Sequence, residues 1–300
     1  MKICLFALIA AVLMGPVSGN EIPGKSIGAP EESVGAEAPQ SEEREWLGAD
    51  GEPLPFRTDE EILEFLRTAE LQDMEKIPVG VTEPRKALLE KDGIQAHATF
   101  KHIDITEKRV RLSDGTRVPE LRDYYLYETA AYELSLLLGL DNVPPTVIRK
   151  LGRNEGSLQM WVEEAMTESE RREQGLRAPD VVSWMQQVQT MYVFDDLIGN
   201  IDRNQGDIVI DSDWKLWMID HSRSFGTRFK PGHLDEVLYC ERGFWEKLQA
   251  LDEAQIRERL GNDLTGPEIS AMLERRDTIV ARIQGLIDQR TEEVVLYDRQ

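Results

Sequence analysis

LIGNIDRNQGDIVIDSDWKLWMIDHSRSFG, residues 197–226, is the stretch on which the reading of this chain turns. Apolar residues alternate through GDIVI and KLWMID as they do in strands with one buried face. Yet Asp202, Asp207 and Asp220 stand just where those apolar runs begin or end. Read as a hairpin with a two-residue turn at Ser212 and Asp213, the runs set Asp211 opposite Trp214 and Asp207 opposite Met218. Asp220 then lies two residues further on the same face, diagonal to Asp207 and near enough to share an ion with it. Two unpaired carboxylates at one hairpin end repel each other, and a divalent cation removes that cost. Hard cations such as Mg2+ choose carboxylate oxygens, so Asp207 and Asp220 are candidate metal ligands.

Asp202 precedes Asp207 by five residues. Protein kinases separate a catalytic aspartate from a metal-binding side chain by the same spacing, and a second metal-binding aspartate follows on the next hairpin. On that pattern Asp202 orients a substrate hydroxyl and accepts its proton, while Asp207 and Asp220 hold a cation on the phosphates. Singly, each acid has a plainer use: a turn at 202, an edge-strand charge at 207, a cap at 220. Their joint spacing is what points to chemistry.

Around this stretch the 300 residues are 41% hydrophobic and 30% charged, the composition of a globular protein with a core. Residues 1–19 stand apart. Lys2, an apolar run from Ile3 to Met14 and small residues to Gly19 have the layout of a secretory signal peptide, so the chain is expected to be exported, to a periplasm, a secretory lumen or the outside. No later segment is apolar enough to span a bilayer, so no stable membrane insertion is expected after cleavage. The rest carries 34 basic against 56 acidic residues, a charge of −22, which argues against nucleic acid and anionic lipid as partners. With Cys4 gone, Cys240 is the only thiol, and the fold has no internal disulfide. Residues 20–56, rich in Glu, Pro, Gly, Ala and Ser, read as a disordered acidic linker.

Order is expected from residue 57. Thr58 and Glu61 have capping-box spacing, and Ile62, Leu63, Phe65, Leu66 and Ala69 give a helical stripe. PRKALLE and IQAHATFKHID read as strands around a KDG turn, followed by a long helix from about Glu120 to Leu138 that Gly139 stops. VPPTVIRK and GSLQMWVEEA are two more strands. A mainly helical half then begins with PDVVSWMQQVQTMYVFDDLI, with Pro179 suited to a first helical position. The order is that of an α+β protein in two lobes, residues 57–164 and 165–300. Other chemistries are poorly served. His97 and His102 fall on opposite faces of a strand, and the chain has no GxSxG, Walker A or CxxC motif. DSD at 211–213 begins like a calcium loop, but Leu216 stands where glycine is required.

LIGNIDRN, GDIVID and WMIDHSRSFG resemble the atypical kinase family that includes the secretory-pathway casein kinases, and are more distantly similar to HipA-like kinases and phosphatidylinositol 3/4-kinases. The resemblance runs from about residue 80 onward. It implies a bilobal protein-kinase-like fold, with a strand-rich N-lobe holding one long helix and a mainly helical C-lobe carrying the metal-binding hairpin. It also implies transfer of the ATP γ-phosphate to a hydroxyl of a protein or small molecule, with Mg2+ or Mn2+. In that scheme Lys101, closing ATFK, holds the phosphates, and Glu128 on the following helix holds Lys101. Glu133, five residues on, is the competing candidate. Gln159 to Glu164, with Trp161 and Glu163 among them, would be the hinge whose backbone meets adenine. The chain has no GxGxxG before Lys101, a loop this kinase branch is known for lacking. It has Asp at 207 where many relatives have Asn, although the secretory casein kinases also look acidic there. DHS replaces DFG, and the family's disulfide framework is missing. A nucleotide-binding pseudokinase or interaction protein without turnover is the alternative reading.

Overall fold

Thr58 caps the first helix as its spacing from Glu61 predicts. Its hydroxyl accepts the Glu61 N–H at 3.3 Å, and the Glu61 carboxylate accepts the Thr58 N–H at 3.1 Å. The computed structural model describes residues 45–78, 83–111, 115 and 117–299, all within one unit of the chain, Pro39–Gln300. The signal peptide expected at 1–19 and most of the expected linker lie outside the described residues.

The first half holds α1 (Asp59–Thr68), β1 (Glu70–Lys76), β2 (Arg85–Lys91), β3 (Ile94–Lys101), β4 (Asp104–Arg111), β5 (Arg117–Tyr124), α2 (Leu126–Leu137), β6 (Thr146–Leu151) and β7 (Asn154–Met160). Five strands form one antiparallel sheet in the order β1-β2-β3-β7-β6. Asp92 and Gly93 join β2 to β3 with φ of 54° and 80°, the left-handed pair that a two-residue hairpin turn needs. On one face Ala87, Leu89, Ala96, Ala98, Phe100, Leu158 and Met160 are buried, and α1 and α2 pack against the sheet. Strand alternation puts Lys101, Thr99 and His97 on the other face.

The second half holds β8 (Met166–Thr167), α3 (Glu168–Glu173), α4 (Val181–Ile198), β9 (Ile208–Ile210), β10 (Leu216–Met218), β11 (Cys240–Glu241), α5 (Arg242–Ala250), α6 (Glu253–Leu260), α7 (Gly266–Arg290), α8 (Glu292–Val295) and β12 (Leu296–Tyr297). A small sheet, β10-β9-β8, contacts α4 through β10, and the long α7 packs against α4. One core cluster runs through both halves, from Trp46 to Leu296. Cys240 is buried and free. No helix among the described residues is long and apolar enough to cross a membrane.

The structure corrects several expectations. The helix read from Glu120 begins only at Leu126. Residues 117–124 pair with β4, and Val118 and Leu121 are buried against Val110, Ile201 and Phe229. A distant strand partner overrides the local helical spacing of ELRDYYLY. The linker expected at 20–56 is structured at its end: Trp46 packs 5.3 Å from the Trp217 ring, Leu54 is buried, and Leu47 bridges Pro53. Two large apolar side chains there have a core to join, which a composition average hides. Asp180 caps α4, so Pro179 precedes the cap rather than opening the helix. The hairpin register is also shifted by one: Ile208 faces Met218, and Asp207 meets Ile219, whose N–H reaches the Asp207 carbonyl at 3.1 Å. The loop is longer than two residues because Trp214 adopts a left-handed φ of 64° and Asp211 accepts the Trp214 N–H.

Candidate nucleotide and metal site

Lys101 ends β3, and it meets two carboxylates, one of them on α2. Its Nζ donates to Glu128 Oε1 at 2.6 Å and to Asp220 Oδ1 at 2.7 Å. Burial alone would push the lysine pKa down, but the charges of Asp220 and Glu128 outweigh it and hold the ammonium above its ordinary value. Glu128 is almost wholly buried on α2. Burial raises its pKa, and Lys101 overcomes that and keeps the carboxylate well below the usual range. Its second oxygen accepts the His221 N–H at 3.1 Å, so the residue after Asp220 is tied to α2 as well. The His221 ring lies edge-on to Phe194, and its Nδ1 is 3.4 Å from Glu128 without forming a hydrogen bond. Burial pushes its pKa down, against the pull of the Glu128 carboxylate. Glu133, the competing acid, is spent on Arg259 of α6.

Asp220 leaves the hairpin pleat through a left-handed backbone, φ 59°. Its charge acts on Asp207. Asp207 Oδ2 accepts from Asn204 N at 3.0 Å and Asn204 Nδ2 at 2.6 Å. Its pKa is pushed up to about 7, first by burial and then by the charge of Asp220, against the pull of Arg203. Two neighbouring carboxylates, one of them forced towards its neutral form, fit a divalent cation. Among the described residues no group of three or more His, Cys, Asp or Glu side chains could hold a metal by itself. A cation there would therefore complete its shell with water or phosphate oxygens, the habit of Mg2+ at phosphate sites.

Asp202 follows the end of α4, which Gly199 turns with φ 65°. A β-carbon at 199 would lie 3.0 Å from the Arg275 guanidinium, so the turn and the close approach both require glycine. Asp202 Oδ2 pairs with Arg223 at 2.8 Å. Beside it, Arg203 is buried and carries much of the local order. It grips Asp195 at 2.7 and 2.9 Å and donates to the carbonyls of Asp207 and Ile219, which joins the loop to both hairpin strands. Arg275 ties Leu197 O and Gly226 O together at 2.9 Å each.

The hinge residues divide. Gln159 lies inside β7 with Thr99 and Thr146 as partners on either side, and its amide donates to Thr146 at 3.0 Å. It is therefore a sheet-interior residue, in the strand that GSLQMWVEEA predicts, with β7 ending at Met160. Trp161 and Glu163 lie beyond the strand end. Trp161 N donates to His97 O at 3.1 Å under the Lys86 ammonium, and Glu163 pairs with His97 Nδ1 at 2.5 Å. Arg203, Asp195, Arg223 and Arg275 were not singled out from the sequence. Arg203 and Arg223 do stand within the opening stretch, where an arginine among core-strand residues was the available signal.

No protein-family model and no curated protein matches the chain. Solved structures do. A hydra Fam20 solved with sugar shares 16% identity over 80% of this chain and 92% of its own, with a TM-score of 0.60. The Golgi casein kinase shares 17% identity over 80% of each chain, with TM-scores of 0.57 alone and 0.56 with Mn/ADP bound. These likenesses establish the fold: the chain is bilobal and kinase-like, as the secretory-pathway kinases are.

Proposed function

We propose that the chain is an ATP-dependent phosphotransferase acting on a hydroxyl of a protein or small molecule. The observation that carries the reading is Lys101 bound at once to Glu128 and Asp220. That pairing joins sheet, helix and hairpin, and its lysine–glutamate part resembles the strand–helix pair of protein kinases. Lys101 would hold phosphate oxygens, and Glu128 would keep its ammonium aimed. Asp207 and Asp220 would hold Mg2+ or Mn2+. Bound there, the cation would neutralise phosphate charge and ATP would supply the transferable phosphoryl group. Asp202 would orient the acceptor hydroxyl and take its proton. Trp161 and Glu163 would border the base. The Mn/ADP complex of the Golgi casein kinase supports this use of nucleotide and metal. Export is part of the same reading and is supported by the layout of residues 1–19; the N-terminal sequence of the chain recovered from its native compartment checks it.

The test is calorimetric titration of ATP into the full chain with Mg2+, with Mn2+ and with chelator, beside Asp220→Ala and an assay of γ-phosphate transfer. Metal-dependent binding lost in the variant, with transfer, is the expected result. Metal-independent binding without transfer would make the chain a pseudokinase, and no binding under any condition would sink the nucleotide reading.

A further inference from the structure

Arg223 has a forked contact that the phosphate-holding residues do not explain. Its Nη1 donates to Asp202 Oδ2 at 2.8 Å and its Nε to Asp123 Oδ2 at 2.9 Å. The side chains are 18% exposed for Arg223, 22% for Asp202 and 9% for Asp123, so water screens these pairs only in part. Asp123 stands near the end of β5, and the same strand is stapled to the post-hairpin segment by Tyr124 N–H donating to Ser222 O at 2.8 Å. Burial pushes the Asp123 carboxyl up and Arg223 opposes this, while the two acids keep the guanidinium charged against its own burial. The β4–β5 hairpin meets the loop a second time through Val118 and Leu121, which pack on Ile201, the residue before Asp202.

A carboxylate on a loop turns about two side-chain bonds, and a hydroxyl proton is taken only when one oxygen faces it. At Asp202 the backbone N–H is fixed on Asn200 Oδ1 at 3.3 Å and Oδ2 is fixed by Arg223. Among the described residues, Oδ1 has no hydrogen-bond partner, and it is the oxygen left for an acceptor.

We propose that Arg223 is a positioning residue: anchored on β5 through Asp123, it holds Asp202 Oδ2 so that Oδ1 faces the acceptor hydroxyl. The inference rests on the phosphotransferase reading of the same site. In the transfer it serves, the hydroxyl gives its proton to Asp202, its oxygen bonds to the γ-phosphorus, and the bond from that phosphorus to the departing ADP oxygen breaks. Arg223 bonds none of Lys101, Glu128 or Asp207, so its loss should slow transfer and spare nucleotide binding.

The experiment uses the full chain with γ-labelled ATP and Mn2+, and reads phosphate passed to water or to the chain's own hydroxyls beside ATP affinity by calorimetry. Arg223→Ala should slow transfer by roughly 30- to 100-fold, the scale of a misplaced reacting group, with ATP affinity within about 2-fold. Arg223→Lys, keeping the charge but not the fork, should recover part of the rate. Asp123→Asn should cost a few-fold alone and nothing further once Arg223 is alanine, because both act through one carboxylate. An unchanged rate in Arg223→Ala, an affinity loss as large as the rate loss, or equal cost of Asp123→Asn in both backgrounds would overturn the inference. If Arg223→Ala does not melt as a folded protein, Arg223→Lys and the Asp123→Asn comparison carry the same test. A wild-type chain that transfers nothing overturns the phosphotransferase reading and this one together; full transfer in wild type and Arg223→Ala alike overturns only this one.

Discussion

Two charge clusters meet at Asp220, and they are built on opposite principles. On one side Lys101 and Glu128 are an opposite-charge pair, buried and hydrogen-bonded, with His221 N–H completing the carboxylate. On the other, Asp207 faces the like charge of Asp220, and its pKa is pushed up to about 7. The first cluster is complete without any ligand and holds β3, α2 and the hairpin end together. The second is left with a repulsion that the protein alone does not resolve. Where a fold keeps an unresolved like-charge pair beside a fully satisfied one, the unresolved pair marks where something else binds.

The comparison is broken most severely from the satisfied side. Lys101→Met leaves Glu128 buried without its cation, and urea unfolding should show a loss of about 3–5 kcal/mol. A loss below about 1 kcal/mol would mean that the pair contributes little to the fold. Asp220→Ala attacks the shared member: metal-dependent ATP affinity should fall on the order of a hundredfold or more, as loss of a preorganised charge contact does, measured by calorimetry at fixed Mg2+.

Asp207 sharpens the contrast through pH. Its native pKa lies above the ordinary carboxylate value of 3.8, so between about pH 4 and 7 the folded state binds the extra proton. Stability from this group is therefore present at low pH and lost as pH rises through about 7, the reverse of a salt-bridged acid. Asp207→Asn should abolish that slope and raise stability at pH 8 by on the order of 1–3 kcal/mol. Added Mg2+ should raise the wild-type melting temperature more at pH 8 than at pH 5.5; equal shifts at both would separate the cation from this carboxylate. The smallest effect belongs to the acid on the far side of α2. Glu133→Gln should change stability by no more than about 0.5 kcal/mol and leave ATP affinity alone, since its partner Arg259 is half-exposed.

Much of the site was legible in one stretch of chain. The spacing of Asp202, Asp207 and Asp220 is local, and in the fold the charge of Asp220 acts on Asp207. Lys101 and Glu128 were reached only through resemblance to known kinases, and their pairing singles out Glu128 over Glu133. The capping box at Thr58 and the left-handed stop at Gly139 were also readable, because each is made by neighbouring residues. The register of the hairpin was not, since a left-handed Trp214 lengthens its loop by geometry that residue type does not announce.

By itself, then, the sequence determined the elements whose energies are local: caps, alternating strands, the run of acids and the α+β order. Tertiary structure alone decided what depends on partners distant in the chain. It turned 120–124 from expected helix into β5, folded Trp46 onto Trp217 and set Arg223 between Asp202 and Asp123. The physical reason is the same in each case. Burial and ion pairing reward whichever groups the fold brings within a few ångströms, and a contact between residues 100 positions apart leaves no periodicity in the chain to read.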